Sequence, residues 1–157
     1  MKTGYSMKRL TQILPLLLLL FFVCPIGDAW GRTLLFQNFS IDLPSGWRVV
    51  QEGNTVAFVA LDKSATLQVT VENLSAMPKA DMSAKELAEA YADEFKGSAP
   101  VMEDGDPNYY SFEFTSPDRR KAEASIIVSG SLFYLISIIG KNQDLAAMVE
   151  SVLLSIL

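Results

Sequence analysis

Leu132-Phe-Tyr-Leu-Ile-Ser-Ile-Ile139 is apolar at every position but Ser137. A strand that alternates apolar with polar residues buries one face, whereas a run that is apolar throughout is buried on both. The sheet that holds this strand therefore needs cover above and below. Ala122–Ser129 reads as its partner, and Gly130-Ser131 between them suits a two-residue type II′ turn, because glycine accepts the positive φ of the first turn position. Upstream, Tyr109–Thr115 is a further strand with Tyr110, Phe112 and Phe114 on one face. Tyr109 and Tyr110 then fall on opposite faces, one ring in the core and the other at least partly outside.

The earlier part of the chain adds strands of a plainer kind. Phe39, Ile41 and Leu43 alternate with Ser40 and Asp42, which marks a half-buried strand. Pro44-Ser45-Gly46 turns the chain, since proline presets φ and glycine permits φ > 0. Trp47 follows the turn, where its ring can cover one end of the core. Thr55–Leu61 is rich in valine and aromatic residues, and Thr66–Asn73 alternates cleanly, Leu67, Val69 and Val71 against Gln68, Thr70 and Glu72. Asp62-Lys63-Ser64 joins the two as a polar hairpin loop.

Two helices supply the cover. Ser83-Ala84-Lys85-Glu86 matches a capping box, in which the serine oxygen takes the Glu86 amide and the glutamate returns to the serine amide. Leu87, Ala88, Tyr91 and Phe95 follow at helical spacing, and Gly97 reads as the C-terminal stop. Near the C-terminus, Asn142 can cap a helix with Asp144 near its positive end, and Leu145, Val149, Val152, Leu153 and Ile156 form an apolar stripe. Strands, helix, hairpins, helix is α+β order rather than βαβ. The expected object is a mainly antiparallel twisted sheet with helices on both faces, an α/β/α sandwich.

The N-terminus reads as a leader. Lys2, Lys8 and Arg9 precede an apolar run from Ile13 to Val23, then Gly27-Asp28-Ala29. A basic n-region, a short apolar h-region and small residues at −3 and −1 describe a secretory signal peptide cut after Ala29. The run is interrupted by Pro15 and falls short of the roughly 20 residues of a membrane-spanning helix, so a retained anchor is the lesser alternative. Met7 offers a second start. Cys24 raises lipidation, but Val23 before it and Pro25 after it suit a lipoprotein signal badly. The domain division is 1–29 leader and 30–157 a single domain of 128 residues. The expected location is periplasmic or extracellular.

Charge and side-chain inventory narrow the chemistry. The chain has 13 basic and 18 acidic residues. The leader holds three of the former and one of the latter, so the cleaved chain carries 10 and 17, a net charge of −7. Such a surface repels phosphate backbones and anionic lipid, which argues against nucleic-acid binding and electrostatic membrane docking. There is no histidine, and the single cysteine lies in the leader. Thiol nucleophiles, imidazole bases, Ser-His-Asp triads, common zinc sites and histidine-ligated haem are thereby removed. No Gly-rich phosphate loop is present.

Three clusters remain. Glu103-Asp104-Gly105-Asp106 could offer oxygens to Ca²⁺, but it lacks the spacing and closing glutamate of a calcium-binding EF-hand loop and reads first as a solvated turn. The 17 acids leave a carboxylate-based hydrolase open by residue type, although no spacing sets two of them across a cleft. Arg119-Arg120-Lys121 is a polar turn by its setting, or a docking spot for an acidic partner. No catalytic, cofactor-binding or metal-binding residue is assigned, and no cofactor is implied.

Phe39-Ser-Ile-Asp-Leu-Pro-Ser-Gly-Trp47 resembles the opening of the PsbP-like superfamily, an alternating strand followed by Pro-x-Gly-Trp. The order of elements agrees, through a helix like Ser83–Lys96 to a C-terminal helix like Asn142–Leu157 that carries Val152-x-x-Ser155-Ile156. The resemblance covers essentially all of residues 30–157. It implies an α/β/α sandwich around an antiparallel sheet and a role in binding or assembly. Family members include an extrinsic lumenal photosystem II subunit, a Ran-GTPase-binding protein and many short exported bacterial proteins. Some plant members bind metal through histidine, which this chain does not contain. The sequence thus points to a non-enzymatic exported module that contacts another envelope or exported protein. A small-ligand or Ca²⁺ carrier is the alternative.

Overall fold

The computed structural model describes residues 31–76 and 81–157. The leader, its cut after Ala29, Cys24 and both candidate start sites lie outside the described residues. The described chain runs β1 (Arg32–Leu35), β2 (Ser40–Leu43), β3 (Trp47–Glu52), β4 (Thr55–Ala60), β5 (Ala65–Asn73), α1 (Ala84–Phe95), β6 (Val101–Met102), β7 (Tyr109–Thr115), β8 (Lys121–Ser129), β9 (Leu132–Gly140) and α2 (Leu145–Ile156). A single 3₁₀ turn, Leu74–Ala76, follows β5.

Seven strands form one sheet in the order β3-β4-β5-β9-β8-β7-β6, and every pairing in it is antiparallel. Its centre is β5 against β9, paired from Ala65 opposite Gly140 to Asn73 opposite Leu132. The apolar run Leu132–Ile139 is the central strand β9. Phe133 to Ile136 are buried, alternating between the two faces. Gly130-Ser131 is the two-residue link, with Ser129 opposite Leu132 and Gly130 at φ 61°.

Each face has its own core. On one, α1 sets Leu87, Ala88 and Tyr91 against Phe112, Ala124, Ile126, Phe133 and Leu135. The Tyr91 and Phe133 rings stack with centroids 5.5 Å apart. On the other, α2 brings Leu145, Met148 and Val152 onto Phe58, Leu67, Val69 and Ile136. Full burial of one such aliphatic or aromatic side chain contributes about 1.5–3 kcal/mol. The fold is α+β, with cover on both faces as the central strand requires.

The β1–β2 ribbon lies on the α2 side and shares its core through Ile41 and Leu43. Two hydroxyls of α2 hold it there. Ser155 Oγ accepts the Ser40 N–H and Ser151 Oγ accepts the Asp42 N–H, both at 3.0 Å. Trp47 opens β3, buried, with its indole N–H donating to Asp144 Oδ2 at 3.0 Å. The turn that precedes it has Gly46 at φ 85°.

Several expectations need correction. The strands β1, β3 and β6 carry weak local patterns and go unforeseen. The capping box at Ser83 is present in full, but α1 ends on Lys96, which takes the left-handed conformation at φ 54°. Gly97 is needed for a different reason, since any Cβ there would meet the backbone of β7. In α2 the N-cap is Asp144, with no side-chain cap bond. Asn142 Oδ1 instead accepts the Asp144 N–H, two residues earlier. Met148, outside the predicted stripe, is fully buried. The clean alternation along β5 does not sort its residues into buried and exposed, because Thr66, Gln68 and Thr70 are buried as well.

Candidate functional site

The residues of β5, β9, β8 and β7 that share the α1 face stand in cross-strand rows. One row is Gln68, Ser137, Ala124 and Phe112. The next is Thr66, Ile139, Ala122 and Phe114. Ser137 in the first row fills little space beneath the end of α1. The result is a cavity of about 320 Å³. Gln68, Thr70, Leu135, Ser137 and Ile139 line it from the sheet, and Glu94 and Phe95 from the last turn of α1. The burial of these residues gives the cavity a direction. The sheet residues are buried, whereas Lys96, Thr115 and Pro117 at its other side are exposed.

Two of the lining residues each hold a polar atom that is closed to water and without a hydrogen-bond partner among the described residues, Gln68 Nε2 and Glu94 Oε2. Gln68 is 8% exposed. Burial pushes the Glu94 carboxyl above its ordinary pKa. Phe95, Phe114, Leu135 and Ile139 give the wall its apolar part, with Phe95 and Phe114 at 4.9 Å between centroids, beside the hydroxyls of Thr70, Thr115 and Ser137. An apolar hollow with a few convergent polar groups is the usual build of a small-molecule site.

The sequence singled out none of these residues. One signal was on the page, the lone Ser137 in an otherwise apolar strand. Its cross-strand neighbour Gln68 belongs to a segment distant in sequence, and only the β5–β9 pairing brings them together.

The clusters that the sequence did single out are engaged locally. Glu103 accepts a bond from the Ser111 hydroxyl. Asp106 Oδ1 accepts the Asn108 N–H at 2.8 Å, and Asp104 sits at φ 51°. The three carboxylates do not form a ligand set: among the described residues no group of three or more His, Cys, Asp or Glu could hold a metal ion. In the basic run, Arg120 Nε binds Asp118 Oδ2 at 2.6 Å, and its Nη1 reaches the carbonyls of Lys63 and Ser64. Arg120 thus ties the β7–β8 loop to the β4–β5 loop. Arg119 and Lys121 are exposed. Tyr110 is buried and Tyr109 half-buried, the split expected of adjacent strand residues.

The sheet order, the two-sided cover and the ribbon on α2 can be compared with known structures. The solution structure of cyanobacterial PsbP (CyanoP) from Synechocystis sp. PCC 6803 superposes with a TM-score of 0.54 at 15% identity, covering 86% of this chain and 96% of that one. The chain has a PsbP-like fold. A crystal structure from Bacteroides thetaiotaomicron VPI-5482 gives a weaker likeness on which nothing rests, with a TM-score of 0.44 at 14% identity over 75% of this chain and 44% of that one. No protein-family model matches the sequence, and no curated protein matches it. The PsbP-like likeness is one of fold, so the function has to be argued from this chain's own residues.

Proposed function

We propose that the protein is a non-enzymatic module, exported and freed of its leader, that works by binding or assembly in the cell envelope. The observation that carries this reading is a PsbP-like fold over nearly the whole described chain, in a sequence with no histidine and its single cysteine at position 24. The edge of the sheet offers a place for contact. β6 is its last strand, and Val101 and Met102 there are 61% and 44% exposed. Unpaired strand edges with apolar side chains are sites where other chains add.

A photo-crosslinking residue at Val101, expressed in intact cells, tests the reading. The expected result is one discrete adduct from the envelope fraction, on protein whose N-terminus is Trp30. Recovery from the cytosol with an uncut N-terminus, or measured turnover of a substrate, would overturn it. A second reading, a small-ligand carrier, is favoured by the cavity beneath α1 and the polar side chains of Gln68, Thr70 and Ser137 that line it. Its calcium form has no carboxylate set behind it among the described residues.

A further inference from the structure

We propose that β3 is a self-association edge, on which a second copy of this chain lays its own β3 antiparallel, centred on Val50. The inference goes beyond the contact proposed at β6, which ends the opposite side of the sheet and stays free.

β4 pairs with one side of β3, and among the described residues no strand pairs with the other. At six residues β3 is the longer of the two edges, since β6 has two. The hairpin decides which of its amides face outward. Leu61 N–H donates to the Gly46 carbonyl at 2.8 Å. Bonded and non-bonded pairs alternate along an antiparallel ladder, so Arg48 with Val59, Val50 with Ala57 and Glu52 with Thr55 are the bonded pairs of β3 and β4. The N–H and C=O groups of Val49 and Gln51 therefore point away from β4, to the open edge. No proline or glycine interrupts the strand. Donors and acceptors set out in this way are a template for another strand.

The side chains select the occupant and the register. With Val50 on a two-fold axis, Val49 and the partner's Gln51 face one another and exchange both backbone bonds, as do Gln51 and the partner's Val49. Between these stand the closer, non-bonded pairs. Val50 meets the partner's Val50, and on either side of it an arginine meets a glutamate, Arg48 against the partner's Glu52 and Glu52 against the partner's Arg48. Opposite charges directly across two strands support a pairing, and like charges oppose it. Centring the pair on Arg48 or on Glu52 sets arginine against arginine or glutamate against glutamate. Centring it on Val49 or Gln51 leaves both charges opposite uncharged residues. The charge pattern of β3 thus complements itself in one register, as a two-fold interface requires. Gln51 and Glu52 are exposed and Val50 is half-buried. The Arg48 guanidinium has several donors, so it takes a cross-strand carboxylate beside its other contacts.

The test follows the mass of the purified protein by sedimentation in about 0.15 M salt. One strand pair is a small interface, and the charge of −7 on each cleaved chain repels its like. A dissociation constant on the order of 100 µM is therefore expected. Gln51→Pro should weaken the dimer roughly tenfold or more. It removes an N–H that bonds nothing in β4, and proline is tolerated at such an edge position. Arg48→Glu and Glu52→Arg should each weaken the dimer by a similar factor. An equimolar mixture of these two should recover it, because every cross-strand charge pair is then of opposite sign. Misfolding of either variant could not give that recovery. In a Cys24→Ser background, Val50→Cys should form an interchain disulfide on oxidation, since a non-bonded pair holds its Cα atoms about 4.5 Å apart, within disulfide reach. Glu52→Cys should not, being displaced along the strand from its own copy. A monomer at every concentration up to about 1 mM, roughly tenfold above the expected constant, would overturn the proposal. A dimer untouched by Gln51→Pro, a mixture that recovers nothing, or a dimer that Val50→Cys fails to trap would overturn it too.

Discussion

At Gly97 an added Cβ would lie 2.6 Å from the Glu113 carbonyl oxygen and 2.8 Å from Phe112 Cδ2. The contact is with backbone, which cannot swing aside. Ser98 N–H donates to the Glu113 carbonyl, and Glu113 N–H donates to Ser98 Oγ, so the exit from α1 is fastened to β7 at this point. Gly97→Ala is therefore expected to destabilise by about 1–3 kcal/mol, the cost of overpacking a closed site. A urea titration reads it as a lower midpoint with an unchanged slope. The sequence marks Gly97 as special and assigns the wrong reason, because the close approach of β7 is invisible locally while a helix stop is not. Glu94 gives a second prediction at this scale. Its carboxyl is pushed up by burial, so in the folded chain it holds its proton to higher pH than in the unfolded chain. Between the two pKa values stability falls as pH rises, and the penalty is fully present above the folded value. Tyr91 lies close enough to feel its charge, and Lys96 lines the same cavity. Glu94→Gln should melt higher than the parent at neutral pH, and the gap should close as pH drops below about 4, where the free carboxyl is also protonated. Thermal melts at several pH values would show the two converge at low pH, and a gap independent of pH would contradict it.

Among the elements, α1 is the one whose beginning the sequence states outright. Ser83 Oγ accepts the Glu86 N–H at 3.3 Å, and Glu86 Oε2 accepts the Ser83 N–H at 2.8 Å. Ser83→Ala should cost about 1 kcal/mol, seen as a lower thermal midpoint with the α2 face undisturbed. The capping box was legible because all its partners lie within four residues. The same holds for the Gly130-Ser131 turn and for the period-two faces of β2 and β7. What was illegible depends on partners far along the chain. β3 reads as a mixed polar stretch until Val49 and Val50 meet Phe58 and Ala57 across the hairpin. β1 is four mostly exposed residues that exist as a strand because β2 pairs with them. The period of β5 separates a polar row from an apolar one. The structure buries both rows, and Gln68 and Thr70 of the polar one line the cavity.

Over the whole molecule, the two-sided sheet was inferable from one apolar strand, since such a strand has no other stable setting. The candidate site was not, because Gln68, Glu94 and Ser137 come from three elements that only the finished fold assembles. The same arrangement bears on how the chain can be made. The middle of the sheet joins β5 to β9, with α1, β6, β7 and β8 all intervening in sequence. A nascent chain stopped before Leu132 would hold β5 with its long partner still unsynthesised. It would also lack the helix that closes the β2 side. No half of this polypeptide is a folding unit by itself. Loop closure across so long an interval makes folding slow and late, which leaves the emerging chain loose until β9 and α2 arrive.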